Sequence, residues 1–303
     1  MTNSFSYKIV VRSYDRSDMI MNMTIGELLK QKDLKLSDQL VLVVANKEEQ
    51  KKYLNVLDTN NVPFNDIIIS GIGGHRATNK AIDYFPEGEP LIFMDDDIKN
   101  IKHWTNMKEN EIESCNILGQ YYNKIFDILA SGKTPATSFT VDYTSNWLFK
   151  VKKPFMETRP RRLGGVWWGG YNQEEFFTSH AHEDDNLRTS QVLDKDGVSL
   201  SVNWLAATTN YGKTRGGMQS SGDRGIDESG RLSETKESCL SALESPQVAK
   251  YFESEPVLNK QAGVYTLKMK NQHELKRMRA YDHLKWNDYF QDNPEGTLLD
   301  FLP

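Results

Sequence analysis

Three consecutive aspartates, Asp95, Asp96 and Asp97, follow the apolar run Leu91, Ile92, Phe93 and Met94 in "PLIFMDDDIKN". Like charges at the end of a buried element repel one another and lose solvation. A hard divalent cation would offset that cost. In an extended segment Asp95 and Asp97 project to one side and Asp96 to the other. Two carboxylates on one side suit Mg2+ or Mn2+ and leave coordination positions for phosphate oxygens and water. The EF-hand pattern is excluded, because its glycine and distal glutamate are not at the required spacing. The same residues also read as a helix N-cap with an acidic first turn before "IKNI".

A second acidic group, Glu183, Asp184 and Asp185 in "SHAHEDDNLRTSQVL", precedes a helical stretch over "NLRTSQVL". It reads either as compensation of the helix dipole or as a general base that orients an acceptor. His180 and His182 beside it read as metal ligands or as polar surface. In "RLGGVWWGGYN", Trp167 and Trp168 lie between glycine pairs, which makes a poor regular element. Aromatics on such a loop stack on sugars or bases; core burial is the other reading. In "NYGKTRGGMQSSG", Lys213 and Arg215 beside two glycines suit closure on a diphosphate, or form a plain polar loop. "GIGGHR" lacks dinucleotide-fingerprint spacing.

The elements that must position these groups alternate over the first hundred residues. "YKIVV", "QLVLVVAN", "DIIIS" and "LIFM" read as strands. "MTIGELLKQK", "NKEEQKKYLNVLDTNN" and "RATNKAIDYF" read as helices, the second capped by Asn46 with Glu49 three residues on. The third presents Ala77, Ala81 and Ile82 or Phe85 on one face. Four strands with intervening helices imply a parallel sheet, with ligands at the carboxyl ends of its strands. "RSYDR" and the aspartate triplet therefore face one cleft. Farther on, "EIESCNILGQYYNKIFDILASG" reads as one long helix closed by Gly132, and "ATSFTVDY" and "NWLFKV" as strands. "VSLSVNWLA" alternates, with Val198, Leu200, Val202 and Trp204 opposite Ser199, Ser201 and Asn203. Residues 210–235 read as a mobile polar loop.

The 303 residues carry 38% hydrophobic and 26% charged side chains, which places the chain among globular proteins rather than disordered ones. No apolar run reaches bilayer length, and the start has no signal-peptide pattern. Two cysteines, Cys115 and Cys239, lie far apart without zinc spacing. That predicts a reducing, cytoplasmic setting. The net charge of −5 argues against a generic basic nucleic-acid binder. Even so, Lys150, Lys152, Lys153, Arg159, Arg161 and Arg162 cluster, as do the basic residues of "LKMKNQHELKRMRAYDHLKW". Either group suits a polyanion or a solvated surface.

Taken in order, "VVRSYDR", "GGHRATNKAIDYF", "LIFMDDDI", "WWGG" and "HEDDNLR" resemble the GT-A glycosyltransferases over about residues 7–205. The "RSYDR…TIGELL" start, the "FMDDDI" form and the "RGG" loop resemble phage enzymes related to the TET-associated glycosyltransferases. Those are thought to glycosylate hydroxymethylated pyrimidines in DNA. The resemblance implies an α/β GT-A (Rossmann-like) fold with a mixed, mostly parallel central sheet. It implies a catalytic domain over 1–235, with a nucleotide-binding half at 1–107 and an acceptor half at 108–235. A C-terminal extension over 236–303 packs on the same domain.

The resemblance also implies site roles. Asp97 and Asp95 would hold Mn2+ or Mg2+, with Asp95 and Asp96 near the nucleotide. Arg12, Ser13, Arg16, Arg76, Asn79, Trp168, Gly169, Gly170, Lys213 and Arg215 would contact the donor, a nucleoside-diphosphate sugar such as a UDP-sugar. Asp184, or its neighbours Glu183 and Asp185, would serve the acceptor hydroxyl. Trp167, Lys152, Lys153, Arg161 and Arg162 would contact the acceptor. A downstream histidine that ligates metal in many such enzymes has no counterpart at the expected place after residue 205. The acceptor so implied is double-stranded DNA carrying 5-hydroxymethylcytosine or another hydroxymethylated pyrimidine, in host cytoplasm if the chain is phage-encoded. The alternatives are the same fold acting on a polysaccharide or protein, a metal-dependent hydrolase or phosphotransferase, and a non-catalytic nucleic-acid-binding module. Negative charge and acidic clusters at the ligand position weigh against the last.

Overall fold

The computed structural model describes residues 5–106, 111–132, 134–144, 156–179, 183–209, 228–259 and 264–271. Its amino-terminal part alternates as the sequence predicts. Strands β1 (Lys8–Arg12), β2 (Leu40–Val44), β3 (Asp66–Ile69) and β4 (Pro90–Asp95) are joined through helices α1 (Thr24–Leu29), α2 (Leu36–Gln39), α3 (Lys47–Thr59) and α4 (Gly74–Tyr84). The four strands are parallel in the order β3-β2-β1-β4. Alternate residues of these apolar strands enter two cores, one on each face. Ile9 and Val11 pack on one side with Tyr53 and Leu57 of α3, and Val10 on the other with Ala77 and Ala81 of α4. The Asn46 side chain accepts from the backbone N–H groups of Glu48 and Glu49, which fixes the start of α3. Glu49 turns away from that cap and accepts from the Asp15 N–H at 2.8 Å, tying α3 to the loop after β1.

The sheet continues through β5 (Ile98–Asn106), β6 (Glu111–Ser114), β7 (Ser138–Tyr143), β8 (Met156–Arg159), β9 (Trp167–Tyr171) and β10 (Ser199–Thr209). Beyond β4 the order is β9-β7-β10-β5-β6, with β8 also on β10. Strands β5, β8 and β9 run against the other seven of this ten-stranded sheet, so it is mixed but mostly of one direction. Helix α5 (Leu118–Ala130) and helix α6 (Asp184–Lys195) flank it. A carboxy-terminal unit follows: helices α7 (Glu228–Leu243) and α8 (Pro246–Tyr251), then the antiparallel pair β11 (Val257–Asn259) and β12 (Val264–Thr266).

Several expectations need correction. The predicted long helix from Glu111 is shorter: residues 111–114 form an exposed strand on β5, and the helix begins at Leu118. Gly132 follows its end at φ +67°, the left-handed conformation glycine favours. The polar loop expected to reach residue 235 gives way to helix at Glu228. Residues 210–227 and the strand expected at "NWLFKV" lie outside the described residues. The alternation of β10 holds, but its polar set Ser199, Ser201 and Asn203 is as buried as the apolar one. Ser201 Oγ bonds Asn203 Oδ1 at 2.9 Å, so part of that polarity is satisfied internally.

Candidate active site

Arg12 ends β1 and Asp95 ends β4, and the two are register partners across the seam between these strands. The chain leaves β1 toward β2 and β3 and returns on the other side as β4. The seam is therefore the point where strand order reverses, the position at which open α/β sheets bind ligands. Arg12 bonds Asp95 Oδ1 through Nη2 and donates to Thr78 Oγ1 at 3.0 Å through Nη1.

Extended geometry stops at Asp95; Asp96 and Asp97 form a turn into β5. Thr24 of α1 staples that turn, donating to the Asp95 carbonyl at 2.6 Å and accepting from the Ile98 N–H at 3.0 Å. Asp96 is buried and held by the Arg16 guanidinium and by Ser13 Oγ, the latter at 2.5 Å. Since Ser13 donates to Asp96, Tyr53 must donate to Ser13 Oγ at 2.5 Å, and Tyr53 in turn accepts from the Arg16 N–H at 3.1 Å. Hydrogen bonds to a carboxylate of this kind contribute about 1.5–3 kcal/mol each.

Asp97 differs. Arg16 reaches its Oδ2 only at 3.8 Å, and its Oδ1 is buried with no hydrogen-bond partner. Burial, then the charges of Asp95 and Asp96, push its pKa up to about 7. A buried carboxylate oxygen without a partner, next to two further carboxylates, fits a hard cation. Among the described residues no group of three or more histidine, cysteine, aspartate or glutamate side chains converges as a complete ligand set. A cation at Asp97 and Asp95 would therefore need water and substrate oxygens to fill its shell.

The second acidic motif approaches the same seam. Asp184 and Asp185 occupy the first turn of α6, and both bond Arg188 at 3.0 Å. Arg188 is fully buried, donates to the Phe176 carbonyl at 3.2 Å and lies 4.5 Å from the Trp168 ring centroid. Asp184 is enclosed, whereas the Asp185 side chain keeps 23% exposure. Asp185 Oδ2 also accepts from the Gly165 N–H at 2.8 Å. A Cβ on Gly164 would stand 2.3 Å from Asp185 Cγ, so the glycine pair before β9 makes room for this carboxylate. Burial works against its charge, but Arg188, Arg162, the Gly165 N–H and Arg12 together hold its pKa below the usual range. Arg12 feels the charges of Asp95, Asp184 and Asp185, which joins the two motifs in one electrostatic site.

The remaining predicted residues divide. Arg76 is exposed on the first turn of α4. Arg162 is exposed before β9, with its charge acting on Glu183 and Asp185, and Arg161 is half-buried next to it. Asn79 is committed elsewhere: its amide donates to the Thr178 carbonyl at 2.7 Å and accepts from the Thr178 N–H at 3.0 Å. Of the two tryptophan readings, core burial holds and ligand stacking is corrected. Trp167 and Trp168 form a strand inside the sheet, both with 0% exposure, and so cannot stack on a ligand. Trp168 stacks on Phe93 with centroids 4.2 Å apart. Gly169 and Gly170 serve sheet packing: a Cβ would stand 2.4 Å from the Leu91 carbonyl oxygen and 2.4 Å from that of Thr137, respectively. Lys152, Lys153, His180, His182, Lys213 and Arg215 lie outside the described residues. Thr24, Tyr53, Thr78, Gly164, Gly165 and Arg188 join these residues without a motif that singles them out, except that the "RLGGV" glycine pair is itself a sequence signal, of room for Asp185 rather than of a loop.

No protein-family model matches the chain, and no curated protein sequence matches it. Among solved structures, the chain is similar to residues 1–349 of S. aureus TarS in complex with UDP-GlcNAc, at 14% identity and TM-score 0.49, over 80% of this chain and 68% of that one. A mannosyltransferase from Pyrobaculum calidifontis in complex with GDP-Man and Mn2+ aligns at 13% identity and TM-score 0.42, over 67% of this chain and 55% of that one. Glucosyl-3-phosphoglycerate synthase from Mycobacterium tuberculosis, with Mn2+, UDP and phosphoglyceric acid, aligns at 10% identity and TM-score 0.45, over 91% and 92%. The chain thus spans little more than half of the mannosyltransferase. Among the described residues no helix is long and apolar enough to cross a membrane.

Proposed function

We propose that the chain transfers a sugar from a nucleoside-diphosphate sugar to a hydroxyl acceptor. The observation that carries this reading is the Asp95–Asp97 turn beside Arg12 at the β1–β4 seam, with the charge of Asp185 acting on the same guanidinium. Asp97 and Asp95 would hold Mn2+ or Mg2+, which when bound supplies a Lewis acid for the departing diphosphate. Arg12 and Arg16 add fixed positive charge where the phosphate oxygens become more negative. Asp185, kept ionised, accepts the acceptor hydroxyl proton. The bond from the anomeric carbon to the diphosphate oxygen breaks, its electron pair leaves with the nucleoside diphosphate, and a bond to the acceptor oxygen forms.

The acceptor we favour is 5-hydroxymethylcytosine, or another hydroxymethylated pyrimidine, in duplex DNA. It rests on the sequence resemblance and on the basic residues around Arg161 and Arg162, which suit phosphates. Reaching the base requires taking it out of the stack. The test is to incubate the protein with Mn2+, hydroxymethylcytosine duplex and a panel of sugar nucleotides, then weigh the digested nucleosides. A gain of one hexose or pentose is the expected result. Transfer to a polysaccharide or protein but not to DNA would overturn the acceptor. Release of nucleoside diphosphate from none of the donors would overturn glycosyl transfer.

A further inference from the structure

The helix that carries Asp185 is fastened at both ends to the carboxy-terminal unit. At its start, Glu183 is buried, and its Oε1 accepts from Cys239 Sγ of α7 at 3.2 Å. The other oxygen, Oε2, accepts from the Asn186 amide. At the end of α6, Asp194 Oδ1 accepts from Tyr251 Oη of α8 at 2.8 Å and pairs with Lys250 at 2.5 Å. Between these ties, Leu187 and Leu193 of α6 pack with Cys239, Val248, Tyr251 and Phe252 in a core separate from the two sheet faces. A third tie reaches the loop that cradles Asp185: Arg162 Nη1 lies 3.5 Å from Thr266 Oγ1 of β12.

These contacts are more than general packing. A helix of this length has little stability of its own and takes its place from what it packs against. On the sheet side α6 contributes Val192 to the core around Trp168. A buried carboxylate is costly unless bonded, so the Glu183–Cys239 contact holds a definite geometry. Asp185 is also bonded through both oxygens but keeps 23% exposure, whereas Glu183 is buried against Cys239 and Asn186; Glu183 is the anchor and Asp185 the carboxylate a substrate can reach.

We propose that the unit formed by α7, α8, β11 and β12 is a positioning scaffold for Asp185, with Cys239 and Tyr251 as positioning residues that act through Glu183 and Asp194. The inference rests on reading Asp185 as the carboxylate that serves the acceptor. Misplacing such a group by about 1 Å costs on the order of 10²-fold in rate.

The test compares Cys239→Ala, Cys239→Ser and Tyr251→Phe in the full chain. Its first readout needs no activity: amide hydrogen exchange at Gly165, whose N–H is bonded to Asp185. We expect Cys239→Ala and Tyr251→Phe to speed exchange at Gly165 by about 10-fold or more, while amides of β1 and α3 stay as in the parent. The serine variant keeps a donor and restores protection. Exchange at Gly165 that does not change in the folded variants, or that rises equally in β1 and α3, overturns the proposal. The second readout is kinetic: kcat with acceptor falls while the Mn2+–UDP thermal shift and donor KM hold. A fall in donor binding instead would also overturn it. A parent enzyme that turns over no donor would overturn the functional reading, and the exchange result would still decide the scaffold.

Discussion

Arg12 bonds Asp95 across the seam between two parallel strands, and the same guanidinium helps to keep Asp185 ionised. One side chain therefore couples the turn that suits a cation to the carboxylate proposed to serve the acceptor. Arg12→Gln should lower kcat/KM by about 10² or more, because it removes positive charge from the diphosphate side and a lowering influence from Asp185. Arg12→Lys should recover only part, since an ammonium cannot span Asp95 and Thr78 in the same fork. Steady-state kinetics on both variants checks this; equal recovery by lysine would show that charge alone matters.

Asp97 predicts opposite effects on stability and on cation response. Its buried Oδ1 and two acidic neighbours make its ionised form unfavourable without a cation. Asp97→Asn removes that repulsion and should raise the Tm of the metal-free protein at pH 8 by about 2–4 °C, for about 1 kcal/mol of relief. Mn2+ should raise the Tm of the parent, and the same change should abolish that rise. Differential scanning fluorimetry with and without Mn2+ reads both. An intact Mn2+ response in the variant would remove Asp97 from the cation site.

The parallel half was legible because buried parallel strands are continuous apolar runs, and "QLVLVVAN" and "LIFM" are such runs between helical periods. The triplet was legible too, since charge directly after such a run needs an explanation. Asp96 was the least readable of the three, because alternation assumes extended backbone and the chain turns after Asp95. Its partners Ser13 and Arg16 lie in the "RSYDR" segment that the strand topology sets opposite it, but Tyr53, which bonds Ser13, comes from α3, and no local pattern points to it. The tryptophans misled for a related reason. Flanking glycines suggest a loop, yet here they allow close approach of β4 and β7 to a central strand. In the same way "EIES" has helical composition but pairs with β5, so tertiary pairing overrides local preference.

The two tryptophans should separate by assay. Trp167→Phe should cost about 1–3 kcal/mol of stability and leave donor KM unchanged, as expected of a core residue. Trp168→Leu should also lower kcat, because the Trp168 ring supports Arg188, which bonds Asp185. Urea unfolding alongside kinetics distinguishes them. A raised donor KM at unchanged stability in either variant would restore the ligand-stacking role.

Arg162 gives the pH prediction. Asp185 is held below the ordinary carboxylate range by Arg188, Arg162, the Gly165 N–H and Arg12, against the opposing effect of burial. Arg162→Ala removes one of these lowering charges, so the Asp185 pKa rises and the acidic limb of kcat/KM moves to higher pH. Stability follows the same sign. A carboxyl with a depressed folded-state pKa stabilises the fold above its unfolded pKa, and that contribution is lost as pH falls through the folded value. The variant should therefore lose some stability at neutral pH and show a smaller further loss on acidification. Because Arg162 is exposed, salt should screen its influence, and the parent at high ionic strength should shift toward the variant. Titration of the Asp185 carboxyl carbon by NMR, at low and high salt, reads the effect directly. A pKa that does not move when Arg162 is removed would place its charge too far from Asp185 to act on it.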